Sequence, residues 1–375
     1  MATLKNLDPS AKRRILFVDD DPAILRTLSD MLEAHTGEWD MRFVDSPAQA
    51  LVLVESWQPH VVVSDLQMPL MDGATLLRQV RKQHPSAMRI MLSGTFGLAA
   101  ERADEDMRFL TKPLKQAKLV ELIEHATRVD ALVQDAVLRQ DIAQLSCLPM
   151  LRPAERALIG EMDRPGASLK QVAALVEFDP GLAAMALRMV CSASLALPTR
   201  VERPGQAALM LGFDTLRGLV LAAGSFRSFD PSLRPLAEEL SLIGAGVAAA
   251  ARQEAVKLGA STREQDEAFT AGLLHGLGVL VLSALRPALV ASWQALHPCG
   301  WPGGEEERRH FGADYAGAGA YLLSLWCLPA SMVNAVAWHL APEQGAHSAA
   351  LQALSTVMTR QKESHPNLAV ELVLG

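Results

Sequence analysis

Short apolar runs recur through the first third of the chain, at Ile15–Val18, Met41–Val44, Val61–Ser64, Ile90–Leu92 and Arg108–Leu110. Between them lie stretches of helical spacing; Pro22–Ala34, for example, places Ile24, Leu25, Leu28, Met31 and Leu32 on one face. Strands alternating with helices need right-handed crossovers and a parallel sheet covered on both sides, so residues 12–127 are predicted to form one α/β domain.

After Lys112-Pro113 the strand signal stops. From Leu119 the positions Leu122, Ala126, Val129, Val133 and Ala136 follow steps of three and four. This seam predicts the last helix of the first domain lying on its sheet, then a helical connector over 128–144. The alternative is one longer helix that also pairs with a second subunit, making a homodimer. From Gln140 almost everything has helical spacing, which predicts an all-α domain over 145–340 and a helical tail over 341–375. Ser168-x-x-Gln171 has the form of a capping box opening Leu169–Phe178, and Asp179-Pro180 supplies an N-cap and a first-turn proline for the next helix. Gly212, Gly259 and the cluster Pro298–Gly304 punctuate later helices. Ala268–Leu285 carries no charged residue and just reaches the length of a bilayer span. With Gly272, His275, Gly276 and Gly278 inside it, we read it as a buried helix pair rather than a membrane segment.

Composition narrows the function classes. Among 375 residues, 35 Lys and Arg face 42 Asp and Glu, a net charge of −7. That balance argues against binding DNA through broad phosphate neutralisation, and no basic recognition helix is evident. Cys147, Cys191, Cys299 and Cys327 have no paired spacing and read as reduced, buried small hydrophobes. The polar stretch Met1–Arg14 lacks the apolar core of a signal peptide, so the expected location is cytoplasmic.

The chemistry-bearing residues of the first domain come in order. Asp19, Asp20 and Asp21 follow the first apolar run, Asp65 ends the third, and Lys112 follows the fifth. In a doubly wound sheet these positions fall at the carboxyl ends of strands, where such folds bind ligands. Converging carboxylates repel, and a hard cation such as Mg²⁺ relieves them. Ionised Asp65 could then act as an oxygen nucleophile toward a phosphoryl group whose charge the cation and Lys112 neutralise.

The segments ILFVDDDP, VVVSDLQMPLMDG, IMLSG and FLTKP closely resemble the receiver domain of two-component response regulators. The resemblance implies a flavodoxin-like five-stranded sheet of order 2-1-3-4-5. It implies Asp65 as phospho-acceptor from a histidine kinase, and a Mg²⁺ ion held by Asp20, by Asp19 through water, by Asp65 and by the Gln67 backbone carbonyl. Ser93 and Lys112 would contact the phosphoryl group, and Phe109 would be the aromatic switch that turns inward. The stretch from Ser93 to Lys112 is short for that family, which predicts a stunted fourth helix.

The second region resembles the HDOD domain, a non-hydrolytic relative of the HD phosphohydrolases. The carrying segments are SLKQVAALVEFDPGLAAMALRMVCSAS, AALMLGFDTLRGLVLAAGSF, AFTAGLLHGLGVLVL and ADYAGAGAYLLSLWCLPASMVNAVAWH. An HD enzyme needs several His and Asp ligands around its metals. Here His275 is followed by Gly276, Tyr315 stands about where another ligand histidine would fall, His339 alone remains of a later one, and Glu238–Ala251 contains no histidine. The HHExxDGxGYP signature of cyclic-di-GMP phosphodiesterases is missing as well. His275 and His339 are therefore expected to be hydrogen-bonded core residues, Trp326 and Trp338 to fill the helical core, and Arg188 and Arg217 to lie on solvated faces. No organic cofactor is expected. The implied function is a phosphorelay response regulator whose non-catalytic output domain binds a protein or a nucleotide second messenger. The rival is a receiver-regulated, metal-dependent phosphohydrolase of the HD superfamily, such as a cyclic-dinucleotide phosphodiesterase.

Overall fold

The computed structural model describes residues 12–94, 106–150, 152–191, 201–224, 234–297 and 300–364. The described chain divides into two compact units, one of residues 12–144 with Leu325–Cys327 and the other of the remaining residues from Leu145 on.

In the first unit five parallel strands, β1 (Arg13–Val18), β2 (Trp39–Val44), β3 (Val61–Asp65), β4 (Met88–Ser93) and β5 (Arg108–Thr111), pair in the order β2-β1-β3-β4-β5. The side-chain period of two divides the core into two layers. Ile15, Phe17, Val61 and Val63 point to one face, where α1 (Pro22–Met31) and α4 (Gln116–Asp130) cover them with Leu25, Leu28, Leu119 and Ile123. Leu16, Val18 and Val62 point to the other, against Ala50 and Val54 of α2 (Pro47–Trp57) and Leu76 and Val80 of α3 (Gly73–Gln83). All five strand runs are where the apolar pattern put them. The helix expected over Pro22–Ala34 stops earlier, at Met31, and a short 3₁₀ turn, Glu33–His35, follows it. The expected stunted fourth helix falls on residues 95–105, outside the described residues.

The seam does not continue as one helix. Helix α4 ends at Asp130, and α5 (Ala136–Gln144) starts afresh because the Asp135 side chain accepts from the Leu138 N–H at 2.8 Å, an N-cap that satisfies a first-turn donor. Leu119, Leu122 and Ala126 are consumed by the core of the unit. Val129 and Val133 are buried as well.

The second unit is helical throughout its described residues: α6 (Arg152–Met162), α7 (Leu169–Val176), α8 (Pro180–Cys191), α9 (Pro204–Gly224), α10 (Arg234–Lys257), α11 (Thr262–Leu274), α12 (Leu277–Leu285), α13 (Pro287–Leu296), α14 (Glu305–Phe311), α15 (Tyr315–Leu325), α16 (Ala330–Trp338) and α17 (Ala349–Ser364). Ser168 does sit at the N-cap of α7, but its hydroxyl makes no capping bond, and the helix ends at Val176 rather than Phe178. Asp179 caps α8 as expected, accepting from Leu182 N–H at 2.8 Å. Gly212 adopts φ 75° and kinks α9, and Gly259 adopts φ 73° just beyond α10. The tail helix α17 packs on α10, α11 and α16, and Arg360 grips the Glu254 carboxylate with two nitrogens, so it belongs to this unit.

Among the described residues two helical stretches are long and apolar enough to cross a membrane, Pro204–Ala223 and Thr262–Leu285. The second is 83% buried and breaks at His275–Gly276 into α11 and α12, the expected buried pair. Its glycines are needed for close approach. A Cβ on Gly272 would lie 2.8 Å from the Ala248 backbone, and one on Gly278 would lie 1.8 Å from the Tyr315 carbonyl oxygen of α15. Three expectations need correction. Arg188 is buried, not solvated, and donates to the Ser146 carbonyl. Cys147, Cys191 and Cys327 are half-buried rather than fully buried, while Cys299 lies outside the described residues. Trp326 is buried, whereas Trp338 is only partly so. Arg217 is exposed and pairs with Asp163.

Candidate functional site: an acidic pocket at the strand ends

β1, β3, β4 and β5 deliver their carboxyl ends to one rim, at the point where strand order reverses about β1. Asp19, Asp20, Asp21, Asp65, Gln67, Ser93 and Lys112 line a cavity of about 280 Å³ there. Lys112 reaches back across it. Its Nζ lies 2.5 Å from Asp65 Oδ1 and 3.2 Å from Asp19 Oδ2. The second Asp65 oxygen accepts from the Gln67 N–H at 2.7 Å, and Asp19 Oδ1 accepts from the Asp21 N–H at 3.0 Å. Asp21 in turn caps α1 through the Ala23 N–H, ahead of Pro22 in the first turn.

The backbone beneath the pocket leaves little play. The Gly73 N–H bonds the Leu66 carbonyl at 2.9 Å, and a Cβ on Gly73 would lie 1.9 Å from the Asp65 carbonyl oxygen. The Ser64 hydroxyl donates to the same Asp65 carbonyl, and Lys112 N–H donates to the Ser93 carbonyl at 2.8 Å. Ser93 is buried at the end of β4, and Phe109 is half-buried on the face covered by α2 and α3. Asp20 is exposed. Six expected residues, Asp19, Asp20, Asp65, Gln67, Ser93 and Lys112, thus meet at one cavity, and Phe109 stands on the strand that leads to it.

Electrostatics at the rim are unbalanced. Four aspartates face one lysine. Burial raises the Asp19 carboxyl above its ordinary value, with the Asp21 N–H and Lys112 opposing. Burial alone would lower Lys112, but its bond to Asp65 and the charges of Asp65 and Asp19 outweigh that and hold the ammonium above its ordinary value. The lining offers carboxylate and carbonyl oxygens and no His or Cys, a donor set for a hard cation. Among the described residues no group of three or more His, Cys, Asp or Glu side chains is placed to hold a metal ion by itself. Mg²⁺, which keeps several waters and uses one or two carboxylates, fits such an open set.

The second unit gathers its imidazoles differently. His275 Nδ1 donates to the Gly272 carbonyl at 2.7 Å and His339 Nδ1 to the Val336 carbonyl at 2.8 Å, each within its own helix turn. That tautomer leaves Nε2 of His339 as an acceptor, and the Tyr315 hydroxyl occupies it at 2.9 Å. The two rings stand edge to face, 5.7 Å between centroids. All three residues are buried, and burial lowers His275 and raises the Tyr315 phenol. Glu307, which the sequence did not single out, is fully buried beside them. It accepts from the Gly303 and Tyr315 N–H groups, and burial pushes its carboxyl up to about 7.

Comparison with known proteins decides the family. The model of the HDOD domain matches residues 148–342, more than half of the chain. The chain belongs to the HDOD family. The response regulator receiver domain model matches residues 15–124 of this HDOD protein, so its first unit is a receiver domain. Curated relatives include the transcriptional regulatory protein GlrR of Escherichia coli K12, 31% identical over 153 residues, which are 40% of this chain and 34% of the relative. The response regulator protein FleR of Pseudomonas aeruginosa is 35% identical over 115 residues, 29% of this chain and 24% of that protein. The chain thus spans about a third or less of the length of these relatives. Among solved structures, the signal receiver domain of an HD domain-containing protein from Pseudomonas fluorescens Pf-5 is 29% identical, covering 33% of this chain and 93% of that one at TM-score 0.30. The MmoQ response regulator of Methylococcus capsulatus is 21% identical, covering 61% and 92% at TM-score 0.44. The HDOD protein thus carries a receiver domain followed by an HDOD domain.

Proposed function

We propose that this HDOD response regulator is a cytoplasmic phosphorylation switch in which Asp65 accepts a phosphoryl group from a histidine kinase and the HDOD unit answers by binding a partner. The reading rests on the convergence of Asp19, Asp65 and Lys112 within hydrogen-bond reach of one another at the strand ends. A carboxylate oxygen of Asp65 attacks the donor phosphorus, the new P–O bond forms as the donor's P–N bond breaks, and the imidazole leaves with the electron pair. Asp65, Asp19, Asp20 and the Gln67 carbonyl would hold Mg²⁺, whose chemistry there is to neutralise phosphoryl oxygens. Lys112, already poised on Asp65, moves with the added charge and stabilises it. Ser93 offers a hydroxyl to a phosphoryl oxygen, and that contact biases a pre-existing equilibrium in which Phe109 changes its packing.

A non-catalytic output is supported by the way the second unit uses its imidazoles: each ring nitrogen described above is spent on a backbone carbonyl or on Tyr315. The partner is a protein or a nucleotide second messenger.

Radiolabelled acetyl phosphate tests the assignment. Mg²⁺-dependent incorporation is expected in the wild type and its loss in Asp65→Asn, whereas equal labelling of the variant refutes Asp65 as acceptor. A stoichiometric transition metal lost in His275→Ala would favour the phosphohydrolase alternative instead.

A further inference from the structure

The end of the receiver sheet away from the acid pocket gathers positive charge. Arg13 and Arg14 open β1, and His60 stands beside Arg14 just ahead of β3. The Arg14 N–H donates to His60 Nδ1 at 3.0 Å, and the His60 N–H returns a bond to the Arg14 carbonyl at 2.8 Å. Asp130 accepts on one oxygen from Arg13 Nη1 at 3.4 Å and from Arg139 Nη1 at 3.0 Å. One buried carboxylate thus holds two guanidiniums side by side. Arg13 keeps 29% of its side chain exposed, which leaves the group open to a small solute.

Arg14 is the cation that these pairs leave over. It is half-buried, and Asp40 and Asp130 attract its charge while Arg139 and Arg42 repel it. Among the described residues its side chain makes no ion pair, and its buried Nε has no hydrogen-bond partner. Helix C-termini favour cations, and α3 and α4 both end at this side of the sheet, yet the Arg14 side chain bonds none of their carbonyls. His60 adds a second unused donor. With Nδ1 accepting, its neutral ring carries the proton on Nε2, which has no partner among the described residues. The excess charge is felt nearby: burial lowers His60 and His84, Asp130 opposes, and Arg14 and Arg139 lower both further. A half-buried cation without a bonded counter-charge is costly, and an anionic ligand supplies what the chain does not.

We propose that Arg13, Arg14, Arg139 and His60 form an anion site at the amino end of the receiver sheet, built for the phosphate group of a small molecule. Guanidinium forks match phosphate oxygens in spacing and charge. The donors come from the starts of β1 and β3 and from α5, so they approach from different sides. A tetrahedral dianion can meet them together, whereas a planar carboxylate presents only two coplanar oxygens. Asp130 positions the two paired arginines and, being an acceptor, bonds no anion itself. The site lies at the opposite end of β1 from Asp65 and stands whether or not Asp65 is phosphorylated.

Calorimetric titration of the full chain without Mg²⁺, at constant ionic strength, tests the site with inorganic phosphate, adenosine monophosphate and acetate. Phosphate is expected to bind about tenfold or more tightly than acetate. Arg14→Gln and Arg139→Gln, each checked by its thermal melt for a wild-type fold, should each weaken phosphate about tenfold or more. Arg14→Lys, which keeps the charge and loses the fork, should weaken it less. Arg217→Gln removes an exposed guanidinium of the HDOD unit and should leave binding unchanged. Adenosine monophosphate binding more tightly than inorganic phosphate assigns the site to a phosphate ester; otherwise it belongs to the free ion. The site is overturned if phosphate does not bind or binds no better than acetate. It is equally overturned if both glutamine variants in the receiver bind like the wild type, or if Arg217→Gln weakens phosphate as much as they do.

Discussion

The HDOD protein carries two concentrations of polar side chains, and they are built on opposite principles. In the receiver, Asp19, Asp20, Asp65 and Lys112 line an open cavity whose charge is unbalanced. In the HDOD unit, His275, His339, Tyr315 and Glu307 are sealed, and their hydrogen bonds close on backbone and on one another. A site that performs chemistry must leave valences free and keep access to solvent. A polar core that specifies packing does the reverse, because each unmet group in a low-dielectric interior is costly. On the function proposed above, the first is the place for phosphoryl transfer and the second a polar core, even though both are rich in titratable residues.

The comparison can be broken most forcefully at its glycines. Gly278→Ala drives a methyl into the Tyr315 carbonyl, and we expect the HDOD unit to lose about 3 kcal/mol or more, while Asp65 still labels with acetyl phosphate. Gly73→Ala does the converse, displacing the Asp65 carbonyl and suppressing labelling while the unfolding transition of the HDOD unit stays in place. Thermal melts followed by labelling would settle both. If either substitution damaged both activities equally, the units would not be separable.

Acid should come next in size. Burial pulls His60 down to about 4; its Nδ1 accepts from Arg14 N–H, Arg14, Arg13 and Arg139 push it the same way, and Asp130 opposes. A histidine depressed in the folded state contributes fully above its unfolded value near 6.5 and loses that contribution as pH falls toward 4, about 3 kcal/mol in all. His275 acts in the same direction in the HDOD unit. Urea titrations between pH 7 and 4.5 should show the loss, and His60→Gln should flatten the receiver's part; an unchanged slope would remove His60 from the account.

Tyr315→Phe sharpens the contrast further. It strands a buried His339 nitrogen, for a loss of about 1–3 kcal/mol in the HDOD unit, with no effect on labelling. The smallest effect is expected from Arg217→Ala. Its pair with Asp163 is exposed on both sides, so its loss should shift stability by no more than about 0.5 kcal/mol.

Much of this was legible in the chain. The apolar runs announced five strands because strands buried on both faces need unbroken hydrophobic sequence, and the order of Asp19, Asp65 and Lys112 announced the pocket because strand ends in a parallel sheet share one rim. The His275-Gly276 step announced the break between α11 and α12. Other features were written nowhere in the local pattern. The seam from Leu119 to Ala136 keeps its period across a break that one capping side chain, Asp135, imposes. Arg188 looked solvated because a lone cation on an apolar helix is silent about the carbonyl it will meet.

Sequence alone therefore determined the elements, their order and the chemistry gathered at the strand ends, since those follow from periodicity and from side chains acting where the backbone leaves them. Tertiary structure alone decided the partners. Asp130 with Arg13 and Arg139, Glu307 with the Tyr315 amide, and Gly278 with the Tyr315 carbonyl are contacts between residues 8 to 117 positions apart. Such contacts exist only once helices and strands have closed on a common core, because their energy depends on distance and burial rather than on position along the chain.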